Sequence, residues 1–96
     1  MKVNVYFYGV LKKFAGYSHI EVEVEENTSI KKLVRAVIKK INKADFAERF
    51  YDRNRDFVKP DIVVLINDKD INLLEGEKTI IKEGNKIVFI PSIHGG

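Results

Sequence analysis

Between Ile30 and Ile41 the apolar residues Ile30, Leu33, Val34, Val37, Ile38 and Ile41 recur at offsets of three and four. That spacing places them on one stripe of an α-helix and predicts a helix over this segment. Thr28 or Ser29 is positioned to cap its first turn. The opposite face carries Lys31, Lys32, Arg35, Lys39 and Lys40, a solvated surface that also suits an acidic partner. A lone amphipathic helix has one apolar face and must bury it against something else. What the rest of the chain supplies for that purpose is strands.

From Val3 to Tyr8 the residues alternate, with Val3, Val5 and Phe7 on one side and Asn4, Tyr6 and Tyr8 on the other. Ile20, Val22 and Val24 alternate with Glu21, Glu23 and Glu25 in the same way. The turn region between them contains Gly9 and Gly16, with Leu11 and Phe14 available to plug a core, and the pair reads as a hairpin. Ile62 to Ile66 is wholly apolar and predicts a strand buried on both faces. Asn67-Asp68 signals a turn. Gly84-Asn85 leads into a last strand, Lys86 to Ile90, stopped by Pro91. The segment from Asn42 to Asp61 mixes charge with few apolar anchors. Phe46 and Phe50 are four apart and predict a short second helix.

One main helix covers only one face of such a sheet. The other face presents Tyr6, Tyr8, Val88 and Ile90, and two readings follow. Either these four form a docking patch, or the segment from Asn42 to Asp61 folds over them.

Ninety-six residues allow one domain and one core, without room for a deep enclosed active site. The absence of cysteine excludes disulfides, thiol nucleophiles and thiolate metal sites. There is no glycine-rich phosphate loop, no histidine pair at ligand spacing and no nucleophile beside a base, so the chain is not expected to be an enzyme by itself. No apolar run is long enough to span a bilayer and no signal peptide is visible, which sets a cytoplasmic expectation without membrane contact. A net charge of +3 is mildly basic, and an ordinary lysine-rich surface accounts for it. Direct nucleic-acid binding is not expected.

The sequence closes on Pro91-Ser92-Ile93-His94-Gly95-Gly96. Lacking a Cβ, two successive glycines can lie extended in a narrow cleft and let the backbone approach reacting groups closely. The expectation is a domain over residues 1–91 followed by a flexible tail over 92–96.

These features resemble the ubiquitin-like sulfur carriers and small modifiers: the molybdopterin synthase small subunit, the thiazole-synthesis carrier, the ubiquitin-related modifier of tRNA thiolation and the archaeal small modifiers. The likeness rests on Val5-Tyr6-Phe7, Phe14-Ala15-Gly16, Val64-Leu65-Ile66-Asn67-Asp68, Gly84 through Pro91, and Gly95-Gly96. Leu65-Ile66-Asn67-Asp68 and His94-Gly95-Gly96 are most similar to the ubiquitin-related modifier, whereas Phe89-Ile90-Pro91 is most similar to the molybdopterin synthase subunit.

The resemblance implies an α+β, β-grasp fold with a mixed sheet on one main helix. It also implies a carrier whose Gly96 carboxylate, preceded by Gly95, is adenylated by a ubiquitin-activating-type enzyme and becomes a thiocarboxylate. A terminal carboxyl has a pKa of about 3.3 to 3.7 and is ionised at neutral pH, a poor acyl donor that needs such activation. ATP and magnesium would belong to the partner, and the chain itself would bind no cofactor or metal. Further partners implied are a molybdopterin synthase large subunit or a tRNA thiolation enzyme. The docking residues implied are Tyr8, Ile71 and Ile90, with His94 packing in the partner's cleft. Ile71 follows from the resemblance alone. The alternatives are a modifier forming isopeptide bonds with lysines, or a β-grasp interaction or RNA-binding module.

Overall fold

A computed structural model describes residues 1–92. Strands β1 (Lys2–Phe7) and β2 (His19–Glu23) form the expected antiparallel pair, with Val3, Val5, Phe7, Ile20 and Val22 buried on one side. Their connection is not a simple turn. It contains a helix, α1 (Gly9–Ala15), which buries Leu11 and Ala15 four residues apart. Gly16 closes it at φ +82°, a left-handed conformation that suits a glycine, and donates its N–H to the Lys12 carbonyl at 3.0 Å. At the other end Gly9 has φ +56°, and a Cβ added there would meet Pro91 Cγ at 3.3 Å, so α1 is seated against the end of the last strand.

Helix α2 (Ile30–Ile41) coincides with the periodic stripe. It buries Ile30, Leu33, Val34, Val37 and Ile41, while Ile38 is only half-buried at the rim. Ser29 is its cap, the hydroxyl oxygen accepting the Lys32 N–H at 3.2 Å, and Asn42 ends it in the left-handed region at φ 53°. Ser29→Ala should therefore cost about 1 kcal/mol, seen as a lower denaturant midpoint at unchanged slope. An unchanged midpoint would show the cap to be energetically idle.

The sheet has the order β2-β1-β7-β5-β6, where β5 is Ile62–Ile66, β6 is Lys69–Asp70 and β7 is Lys86–Pro91. β1 and β7 run parallel in the middle and the other neighbours are antiparallel, a mixed sheet with α2 across one face. This is the grasp arrangement that the resemblance implies. Asn67 and Asp68 turn β5 into β6 with φ values of 47° and 70°, the left-handed pair that a tight hairpin needs.

The segment from Asn42 to Asp61 forms α3 (Ala44–Phe50) and a small hairpin of β3 (Tyr51–Asp52) and β4 (Phe57–Val58). Phe46 meets Phe7 edge-on with centroids 5.4 Å apart and stacks on Phe50 at 4.7 Å. Phe50 in turn meets Phe89 edge-on at 4.9 Å. Phe7 and Phe89 point to the helix side of the sheet, so α3 thickens the core there and does not fold over Tyr6, Tyr8, Val88 and Ile90. The hairpin is tied to α2 through Asp56, whose carboxylate accepts from both Arg35 and Tyr51. Those two donors, Arg35 first, lower the Asp56 pKa from 3.8 to about 2.

Candidate docking face

With both helices and the insertion on one side, the opposite side of the sheet stays uncovered among the described residues. Register determines its composition. Tyr6 lies across from Val88 in the parallel pair, and Val88 across from Leu65 in the antiparallel pair, which makes one apolar row over three strands. Ile90 pairs with Val63, and the Tyr8 N–H extends the parallel ladder by donating to the Phe89 carbonyl at 3.2 Å, which sets Tyr8 beside Ile90 in a second row. Asn4, Glu21 and Lys86 continue the same face as a polar margin.

The two rows differ in exposure. Val88 sits in the central strand between Tyr6 and Leu65 and is only 3% exposed although it faces outward. Tyr6 is held between the His19 ring, stacked at 5.0 Å, and the Lys86 ammonium 4.9 Å from its centroid. The second row is more open. Tyr8 is 47% exposed and Ile90 half-buried, each beyond the reach of the aromatic cluster beneath. Val63 and Leu65 are half-buried too, so β5 is not covered on both faces as its composition suggests. Their apolar side chains complete the outer face instead. A single sequence shows two apolar sides of β5 without showing which of them a neighbour covers.

Ile71 does not join this face. Asp70 accepts the Asn72 N–H at 2.8 Å and starts a short 3-10 turn, Ile71–Leu73, which directs Ile71 inward beside Phe57, Val58, Ile62 and Val64. It is 4% exposed, and its side chain belongs to the core, contrary to the docking position the resemblance implies. The turn exposes Leu73 and Leu74 in its place.

The chain leaves the sheet next to the second row. Pro91 pairs with Ile62, and Ser92 donates both its N–H and its hydroxyl to the Asp61 carbonyl at 2.7 and 2.6 Å. The Asp61 carboxylate is gripped by Arg49 of α3 through two hydrogen bonds of 3.1 and 2.6 Å. Nothing in the charge pattern of residues 42–61 singles out this pairing. His94, Gly95 and Gly96 lie outside the described residues.

Among the described residues no group of three or more histidine, cysteine, aspartate or glutamate side chains is placed to hold a metal ion, and no helix is long and apolar enough to cross a membrane. Among the described residues the arrangement offers an apolar surface flanked by charge, the kind of surface that can seat another protein.

The family model described as Urm1 (Ubiquitin related modifier) matches residues 2–96. Ubiquitin-related modifier 1 of Ajellomyces capsulatus is 38% identical over 71 residues, 74% of this chain and 57% of that protein. The matched segments span 40%, 57% and 55% of the lengths of the first three curated relatives. Among solved structures, SAMP1 from Haloferax volcanii superposes with a TM-score of 0.86 at 16% identity, covering all of both chains. Urm1 from Trypanosoma brucei superposes with a TM-score of 0.78 at 22% identity, covering 99% of this chain and 95% of that one.

Proposed function

This chain belongs to the Urm1 (ubiquitin-related modifier) family, and from that premise we propose that it is a sulfur carrier whose Gly96 carboxylate is activated by a separate adenylating enzyme. The carboxylate oxygen attacks the α-phosphorus of ATP and pyrophosphate leaves, with partner-bound magnesium offsetting the phosphate charge. A hydrosulfide ion supplied by the partner then attacks the acyl carbon, AMP departs and the S–H proton is lost, leaving a thiocarboxylate at Gly96. Gly95 keeps the approach free of side chains, and His94 packs in the partner's cleft. Family membership favours a tRNA thiolation enzyme over a molybdopterin synthase large subunit as the consumer of this sulfur. The modifier description favours one further outcome for the same adenylate: attack by a lysine amine, with AMP leaving and an isopeptide bond formed.

The observation that supports this reading most is the uncovered row of Tyr8 and Ile90 beside Ser92. An extended chain spans at most about 3.3 to 3.6 Å per residue, so a partner holding Gly96 works within roughly 20 Å of Ile90. Replacing Ile90 with aspartate puts a carboxylate into the docked surface. We expect a loss of about thirtyfold or more in kcat/KM for ATP-dependent activation, the size of a lost interface anchor. Tyr8→Ala should lose less, with little change in melting because half its surface is already exposed. Undiminished activation of Ile90→Asp would remove the docking row from the account. So would a loss of stability in that variant as large as that of a core phenylalanine.

A further inference from the structure

The Arg49-Asp61 pair does more than seat α3. Phe46 and Phe50 already anchor that helix in the core, with no exposure at either ring. The pair instead ends at a single peptide unit. Arg49 holds the Asp61 carboxylate in a two-pronged, charge-assisted grip between side chains that are 29% and 25% exposed. The carbonyl of that same Asp61 accepts both donors of Ser92. Its neighbour Ile62 pairs with Pro91. The insertion between α2 and β5 thus reaches across to hold Ser92, the last described residue.

We propose that Arg49 and Asp61 form a positioning clamp that fixes where and in what direction the reactive tail leaves the domain. The proposal rests on the carrier reading above. With Ser92 held, Gly96 lies four residues beyond it, a reach of at most about 14 Å. Opening the clamp releases Ser92, so that one more backbone residue must be ordered when the partner takes up the tail. Each backbone residue that must then be ordered in the partner's cleft weakens productive binding roughly five- to thirtyfold. That ordering takes place on docking, before the carboxylate reacts, so the loss falls on KM for the carrier and not on kcat.

The test uses the full chain in Arg49→Met, Arg49→Lys and Ser92→Ala forms, with two readouts. The first is hydrogen exchange of the Ser92 amide, which needs no partner. The second is steady-state activation by the cognate adenylating enzyme with ATP. Arg49→Met should speed Ser92 exchange about tenfold or more and raise KM about five- to thirtyfold while kcat stays within about twofold. Arg49→Lys keeps the charge without the fork and should fall between. Ser92→Ala leaves Arg49 and α3 untouched, so it keeps the proposal testable if Arg49→Met folds poorly, and it should raise KM in the same direction. Unchanged Ser92 exchange in Arg49→Met overturns the clamp, and so does faster exchange with an unchanged KM. A wild-type chain that is never activated defeats the carrier reading first, and the clamp's role with it. Activation that is normal and indifferent to Arg49 and Ser92 defeats the clamp alone.

Discussion

Removing Gly96, or Gly95 and Gly96 together, is expected to abolish ATP-dependent activation while leaving the melting temperature nearly unchanged. β7 ends its ladder at the Ile62-Pro91 pair, and Ser92 makes the last described backbone contact with Asp61. Loss of one glycine still leaves a carboxylate, but one that falls about 3.5 Å short. Reacting atoms must come within about 3 to 3.5 Å of each other, so one residue of reach is as large as the whole approach distance. Loss of both glycines also places the His94 side chain where a bare backbone is needed. Activation of either truncated chain at the wild-type rate would contradict the assignment of the reaction to Gly96. A large fall in melting temperature would show instead that the tail belongs to the folded domain.

Phe89→Ala is expected to have the largest effect on stability, a loss of about 3 to 5 kcal/mol. Phe89 has no exposed surface and lies on the central strand between the rings of Phe7 and Phe50, at 6.2 and 4.9 Å. Removing it opens a cavity where the sheet, α3 and, through Phe46, the start of the chain all meet. A domain of this size has a total stability of about 5 to 15 kcal/mol, so the variant would be partly unfolded at room temperature if the wild type lies near the lower end. Equilibrium denaturation of the two chains gives the difference directly. A cost below about 1.5 kcal/mol, the level of a well-tolerated core swap, would mean that the aromatic cluster does not carry the core.

These two variants separate what the sequence makes legible from what it does not. The α2 stripe, a cap at Thr28 or Ser29 and the Phe46-Phe50 spacing are local signals, each carried by residues close together in the chain, and the structure has the helix at the stripe, Ser29 as the cap of the two, and a short helix at the phenylalanine pair. Helix α1 was hidden because it has only seven residues, beginning at Gly9 and capped by Gly16, and its buried pair, Leu11 and Ala15, is too short a run to outweigh turn signals on either side. The side of the sheet chosen by α3 depends on Phe46 finding Phe7, 39 positions away in the chain, a contact that periodicity cannot report.

The candidate docking face was half visible. Tyr8 and Ile90 could be assigned to it by alternation, whereas Val63 and Leu65 needed the register of β5 against β7. Ile71 shows the converse. Its place in the family pattern suggests a surface position, and the Asp70-capped turn carries it into the core. Arg49 and Asp61 gave no sequence signal at all. Charged residues are common across residues 42–61, and only the fold selects the pair whose aspartate carbonyl accepts from Ser92.

The most direct test of the carrier assignment is the intact mass and C-terminal fragment mass of the chain after incubation with its adenylating enzyme, ATP and a sulfur donor. The account predicts that one oxygen at Gly96 is replaced by sulfur, that the change requires ATP, and that it is absent from the chain lacking Gly96. An ordinary carboxylate at Gly96 under all of these conditions, with a folded chain and an enzyme active on another carrier, would contradict it.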